Sequence, residues 1–504
     1  MELSPKRLQH WIASLPTMDV QETVSQLEQA LVAFNSTPLS DAERLRLLEI
    51  YFAAYEDILA GYDEIRLNML PVAAEKRHAI AQAIMQLYLD LAAGYKIIIR
   101  DQFERRQRLR RNPLLLACIY RAIELISLTM LYAFRAHRDI PPLCYLELYQ
   151  LYSYAEENGV LESPVKNLPG YQSAPQIGNL FKQIMLLVLT DPYHINPIEL
   201  YEYYVLAERF ATTCEILPLD EKMPNSPIQL IDLASDKPPV FSKKPTAIKH
   251  TSFLRQINIS SAVEEMKLWS DEQSRHETSL AEEQKKRLTT SLVMHLSNNL
   301  RRREPRRQTH QDIHLIAGIK NILYACEKTE LLKKIIARET HAGIEVHDVE
   351  DERLESSTHS CRVLNESNSG RRISSLPAAV AEDMMIGDVV ALLDATPSGI
   401  TIMAGLVRWK KEDQHNQFHF GIEIIPGQPA ATTIQTEASE QAFGSLVFPP
   451  IAVLKLERRI LLPQKHYRGG ARLNYKSTSG IIRATLGESV MHSPAYVVAT
   501  IVSD

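Results

Sequence analysis

The chain has little cysteine. Its 504 residues include five, Cys118, Cys144, Cys214, Cys326 and Cys361, odd in number, scattered, and with no C-x-x-C pair. That excludes a disulfide framework and a structural zinc site, and points to small buried thiols in a reducing compartment. No apolar run opens the chain: MELSPKRLQHWIASL lacks the hydrophobic region of a secretory signal. The most apolar stretch, Leu114 to Phe134, carries Arg121 and Glu124 near its middle, on one face of a helix. A charged pair at bilayer centre is costly, so a buried helix of a soluble, cytoplasmic protein is expected, with no membrane insertion. An excess of one sign of charge is also missing: 56 Lys and Arg stand against 61 Asp and Glu, a net charge of −5. Dedicated nucleic-acid binders are usually strongly basic, so that class is disfavoured.

Catalytic and nucleotide signatures are absent as well. There is no G-x-x-x-x-G-K-[ST], G-x-G-x-x-G, H-E-x-x-H or G-x-S-x-G, and no EF-hand loop. His310 with His314, and His415 with His419, would share strand faces, but nothing supplies further ligands, so no metal is expected. Nothing in the chain asks for an enzyme or a cofactor. What is present suffices for real cores: 45% hydrophobic and 23% charged residues exclude wholesale disorder. At about 150 residues per domain, the length predicts about three domains.

Residues 1–215 read as helix after helix, a helical bundle or short solenoid. Val24, Leu27, Leu31 and Phe34 mark one helical face. Ser40 with Glu43 fits a capping box, and Asn112–Pro113 and Asn196–Pro197 open further helices. Arginines at 105, 106, 108, 110 and 111 fall near a helix C-terminus, where cations complement the dipole. Residues 216–299 form a proline-rich connector and a helix: six prolines fall between Pro218 and Pro245, IQLIDL fits a short strand, and a helix is expected from about Ser260 to Asn299.

From about residue 300 the period switches to two. DIHLIAGIKNILYAC, DVVALLDA, GITIMAGLVRWKK and FHFGIEII read as strands, then SLVFPPIAVLKL, RILLPQ, ARLNYKS, GIIRATLG and AYVVATIVSD. The expected class is α+β multidomain: a barrel or sandwich over 300–435, with an insertion at 327–355, and a small β extension over 436–504. The insertion includes a short helix at 327–340 and an acidic stretch at 345–355, read as a solvated surface.

Two motifs lie together in this half. Arg301-Arg302-Arg303-Glu304-Pro305-Arg306-Arg307 holds R-x-x-x-R in two registers, Arg302 with Arg306 and Arg303 with Arg307. Asn365-Glu366-Ser367-Asn368-Ser369-Gly370 is an N-x-S-x-x-G, in which extended geometry puts Asn365 and Ser367 on one face, and Gly370 allows a turn or close approach. Guanidinium forks bind phosphate and the guanine edge, and stack on flat rings; Asn and Ser offer short donors and acceptors. The set suits a ligand with both phosphates and guanines.

The arm, the first β segment and N-x-S-x-x-G resemble the PilZ domain, a bacterial receptor for cyclic di-GMP. Ile386-Gly387-Asp388-Val389-Val390, Gly405-Leu406-Val407-Arg408-Trp409 and Phe420-Gly421-Ile422-Glu423 resemble its later strands. The resemblance implies a PilZ-like antiparallel β-barrel over 300–435 and binding without turnover, with cyclic di-GMP as ligand. Arg302 and Arg306, or Arg303 and Arg307 in the other register, would contact phosphates and guanine edges. Asn365, Ser367 and Gly370 would supply the second motif. It further implies an effector whose helical module meets a protein partner, in motility, pili or adhesion. The alternative is a ligand-blind interaction scaffold of the same fold. Fifty-nine positions separate Arg306 from Asn365, longer than the family's usual spacing, and the insertion supplies the excess.

Overall fold

A computed structural model describes residues 4–67, 74–219, 228–242, 251–273, 280–298, 305–329, 331–332, 335–336, 349–396, 399–413, 415–437, 439, 441–477 and 480–503. It divides into two units, Met1–Arg301 and Arg302–Asp504.

The first unit begins with eight helices: α1 (Pro5–Ala13), α2 (Val20–Asn35), α3 (Asp41–Leu67), α4 (Ala74–Glu104), α5 (Pro113–Arg135), α6 (Cys144–Glu157), α7 (Ile177–Leu189) and α8 (Pro197–Ala211). Several of them start at short polar side chains that satisfy otherwise unpaired amides. Asn112 accepts from the Leu115 amide at 3.1 Å and Asn196 from that of Ile198 at 3.0 Å. The Glu43 amide donates to Ser40 Oγ at 3.4 Å while Ser40 N donates to Glu43 Oε2 at 3.3 Å, the reciprocal pair of a capping box. Two of the arginines after α4 have separate partners: Arg105 pairs with Asp41 at 2.9 Å, and Arg110 donates to the Asn158 carbonyl at 2.6 Å.

Helix α5 is long and apolar enough to cross a membrane, but 89% of its most apolar window is buried within the protein. Its charged pair is the centre of a closed network. Arg121, 1% exposed, donates to Glu124 and to Glu49 of α3 at 2.7 Å each, and to the Pro169 carbonyl at 2.8 Å. Tyr171 donates to Glu124, and Tyr95 to Glu49. Burial pushes the Glu124 carboxyl above its usual range, opposed by Arg121. Burial alone would lower Arg121, but Glu124 and Glu49 hold it above its ordinary value. Every partner is thus satisfied, which is the condition for keeping charge in a core.

The described residues of the region expected as a connector include four strands. β1 (Glu215–Pro218), β2 (Ile228–Asp232), β3 (Val240–Ser242) and β4 (Leu254–Asn258) form an antiparallel sheet in the order β1-β4-β2-β3. Ile231, Leu233 and Ile257 join the helical core. Among the described residues, Pro218 ends β1 and Pro238–Pro239 precede β3. The single helix expected over 260–299 is two, α9 (Ser260–Gln273) and α10 (Leu280–Asn298), linked by Ser270 and Thr290 hydroxyls 2.9 Å apart.

The second unit holds two closed barrels. The first comprises β5 (Arg307–Ala317), β6 (Thr358–Glu366), β7 (Gly370–Ser374), β8 (Val389–Thr396), β9 (Gly399–Glu412) and β10 (Phe418–Ile424). The second comprises β11 (Ala430–Thr436), β12 (Phe443–Phe448), β13 (Arg459–Pro463), β14 (Arg472–Ser477), β15 (Gly480–His492) and β16 (Tyr496–Ser503). When the strands of each are counted in chain order, both close in the same cycle: first, second, third, sixth, fifth, fourth. Every pairing is antiparallel.

The expected β extension is therefore most of a second barrel. The boundary expected at 435 falls inside β11, because the first barrel already ends at Ile424. A second difference concerns DIHLIAGIKNILYAC. The strand stops at Ala317, Gly318 turns the chain at φ 84°, and Ile319–Glu327 is a helix, α11. An apolar run satisfies either period. Helix wins because Ile322 and Ala325, three apart, are both fully buried. Helix α12 (Val349–Ser357) covers part of the acidic stretch; the rest of that stretch lies outside the described residues, as does half of the short helix expected at 327–340, of which residues 329, 331–332 and 335–336 are described and helical.

Strand β8 explains why the barrels belong together. Val390 and Leu392 face the first barrel's interior, while Val389, Ala391 and Leu393 face a separate core. That separate core takes Ile322 from α11 and Leu446, Phe448, Leu461 and Val498 from the second barrel. A strand buried on both faces loses polar alternation, as VVALL does.

Candidate functional site

The N-x-S-x-x-G segment forms the hairpin between β6 and β7. The Ser367 amide donates to the Gly370 carbonyl at 2.8 Å, closing a loop with Asn368 and Ser369 at its tip. The Ile424 amide donates to the Ser369 carbonyl at 2.9 Å, which fastens the tip to the end of β10. Gly370 pairs with Glu423, and a Cβ there would lie 3.1 Å from the Ile422 carbonyl. The glycine is needed for close strand approach.

The basic arm leads into this hairpin through β5. Arg307 is paired with Glu366, and Gln308 with Asn365. Arg307 Nη2 lies 2.5 Å from Glu366 Oε1, and Arg371 Nε lies 3.2 Å from Glu366 Oε2. Glu366 is thus held between two guanidiniums. Arg371 also donates to the Ser367 carbonyl at 2.6 Å, bracing the turn. Arg306 is exposed immediately before β5. Arg302 and Arg303 lie outside the described residues, so the structure brings Arg306, Arg307, Asn365, Ser367 and Gly370 to one barrel end and places no contact for the other two.

A row of paired positions crosses the barrel wall from here. Gln308 pairs with Asn365, Asn365 with Arg372, Arg372 with Gly421, and Gly421 with Trp409. The Trp409 indole covers Gly421, where a Cβ would collide with its ring, and the Arg372 guanidinium lies 5.8 Å from that ring's centre. Asn365 Oδ1 and Arg372 Nε are both buried without a hydrogen-bond partner. Buried polar atoms are normally paired, so an acceptor and a donor in one row mark a place where a ligand would satisfy both.

Sequence reasoning used Trp409 only as a strand marker and passed over Glu366, Arg371 and Arg372. The available signal was Arg-Arg directly after Gly370: strand alternation sends the two arginines to opposite faces. Among the described residues no cluster of His, Cys, Asp and Glu is arranged to hold a metal ion.

Comparison with known proteins adds a similarity over the first unit. A family model described as the N-terminal domain of the cyclic-di-GMP receptor FimW matches residues 6–221, the eight helices and β1. A curated relative, the cyclic-di-GMP receptor FimW of Pseudomonas aeruginosa, is 32% identical over 166 residues, covering 33% of this chain and 27% of the relative. The chain thus matches about a quarter of that relative's length. No solved structure matches. In sequence, the helical module is similar to the N-terminal domain of a second-messenger receptor.

Proposed function

We propose that the chain is a cyclic di-GMP-binding effector in which a PilZ-like barrel, the first of the two, receives the ligand without turning it over. The observation that carries this is the β5–β6 register, which sets the end of an arginine arm beside Asn365 and Ser367 at one barrel rim. The similarity of the helical module to a receptor's N-terminal domain supports the same reading from an independent segment. In it, Arg302 and Arg306 approach phosphates and guanine edges. Arg307 pairs with Glu366 across the strand pair, so in the Arg303/Arg307 register a ligand would have to draw Arg307 away from that carboxylate. Asn365 and Ser367 supply short polar contacts. Arg372 and Trp409 offer a flat cationic and aromatic platform for a guanine. Ordering of the arm on ligand binding is the switch, since a ligand shifts an equilibrium only by its preference for one state. The output is contact between the helical module and a cytoplasmic protein partner of motility, pilus or adhesion machinery.

Calorimetric titration of cyclic di-GMP into the full chain tests the proposal. Wild type gives saturable heat. Arg306→Ala and Ser367→Ala each weaken binding by about tenfold or more, the usual scale for losing a charge-assisted or buried hydrogen bond. No heat from wild type would sink the receptor reading and leave a ligand-blind scaffold, which Glu366's hold on two arginines also fits. Binding untouched by either substitution would remove the site assignment alone. Salt-dependent binding of random single-stranded DNA would replace both.

A further inference from the structure

The two barrels share one strand cycle, so their ends correspond. In each, the start of the first strand, the second–third hairpin, the fourth–fifth hairpin and the end of the sixth strand lie at the same end. In the first barrel that end carries the polar site. In the second it carries side chains of the opposite character. The β12–β13 connection, Pro449 to Arg458, exposes Val453 at 94% and Leu454 at 58%. The β14–β15 turn exposes Ile481 at 78%, and Val502 near the end of β16 is 58% exposed. Nothing in the second barrel repeats Asn-x-Ser-x-x-Gly.

Charge is arranged around these apolar tips. Lys455 is exposed beside Leu454, and Lys476 is exposed and paired with Ile481. Arg483 is exposed two positions after Ile481, and Arg458 reaches the Tyr475 hydroxyl at 2.8 Å. Glu457 is the acid on the same connection, whereas Glu437 and Glu488 belong to the far half of the barrel. We propose that this end of the second barrel docks on an anionic lipid surface, with Val453, Leu454 and Ile481 entering the headgroup–acyl boundary and Lys455, Lys476 and Arg483 meeting lipid phosphates.

The shape favours lipid over protein. The apolar groups are aliphatic and stand on separate hairpin tips. Protein interfaces concentrate aromatic anchors in a packed centre, and none of these exposed groups is aromatic. A fluid interface accepts protruding aliphatic tips and rewards a basic rim. The inference is independent of cyclic di-GMP binding at the first barrel.

Flotation of the full chain with vesicles tests it. Phosphatidylcholine vesicles containing phosphatidylglycerol should carry the protein up the gradient, and added salt should release it. Pure phosphatidylcholine should carry much less. Val453→Asp with Ile481→Asp should reduce flotation by about tenfold or more, since two apolar contacts are lost. Both positions are exposed, so melting temperature and circular dichroism should match wild type. Lys455→Glu with Lys476→Glu should abolish the preference for the anionic lipid while sparing the fold. Failure of wild type to float overturns the proposal, as does flotation unchanged in the Asp variant. A dimer in light scattering that the Asp variant converts to monomer, without flotation, would assign the surface to a second copy of the chain.

Discussion

Glu366 stands inside the second motif, between Asn365 and Ser367, and holds Arg307 and Arg371 from either side. A carboxylate in that position competes with any anion for the same donors. Glu366→Gln should therefore tighten cyclic di-GMP binding severalfold by calorimetry, and the gain should shrink as salt screens it. Unchanged affinity would mean that Arg307 and Arg371 serve the strands alone. A different test applies to Arg121. Its replacement by leucine leaves Glu49 and Glu124 without their shared cation in a core, which costs about 3–5 kcal/mol; urea unfolding of the first unit measures it. At this scale the sequence was a partial guide. Asn365, Ser367 and Gly370 could be named from spacing, and the Arg121–Glu124 pair from its distance along a helix. Asn365's neighbour Arg372 could not, because their meeting depends on a register shift between β6 and β7 that no local pattern announces.

Elements record a balance between local signals and what packs against them. Where a cap side chain sits before an apolar helical face, the helix begins as expected, and Ser40→Ala should cost about 1 kcal/mol by unfolding. Where an apolar run fits two periods, packing decides, as at α11. Helix α10 adds a pH dependence to the first unit. Burial, with His194 nearby and Asp191 opposing, lowers His295 from 6.5 to about 4. The unfolded chain binds the proton first as pH falls, so stability is full above about 6.5 and drains toward about 4. Melting at about pH 7 and about pH 5 should show this loss, and His295→Leu should flatten it. Equal slopes in the two proteins would assign the dependence elsewhere. The proline-rich segment was hard to read for a related reason: its described prolines, Pro218, Pro238 and Pro239, sit at or beside strand ends, and Ile231, Leu233 and Ile257 bind the sheet to the helices.

For the molecule as a whole, the separate cores of the two units predict two calorimetric transitions. The barrels behave differently. Residues 302–504 should fold when expressed alone, whereas 430–504 alone should not, because its Leu446, Phe448, Leu461 and Val498 would lose α11 and the outer face of β8. Two-dimensional amide spectra of the fragments check this, and dispersed signals from 430–504 would count against a shared core. The sequence announced many short strands and a barrel. It could not announce a second one, since closure depends on which strand ends meet.

The core beneath α11 has a mechanical consequence. Arg408 donates to the His492 carbonyl, and Ser493 Oγ donates to the Gly387 carbonyl at 3.0 Å, so the barrels are joined at several points besides that core. Strain placed on one barrel is therefore shared with the other, so a substitution that loosens the first barrel's outer wall should be felt in the second barrel's melting as well.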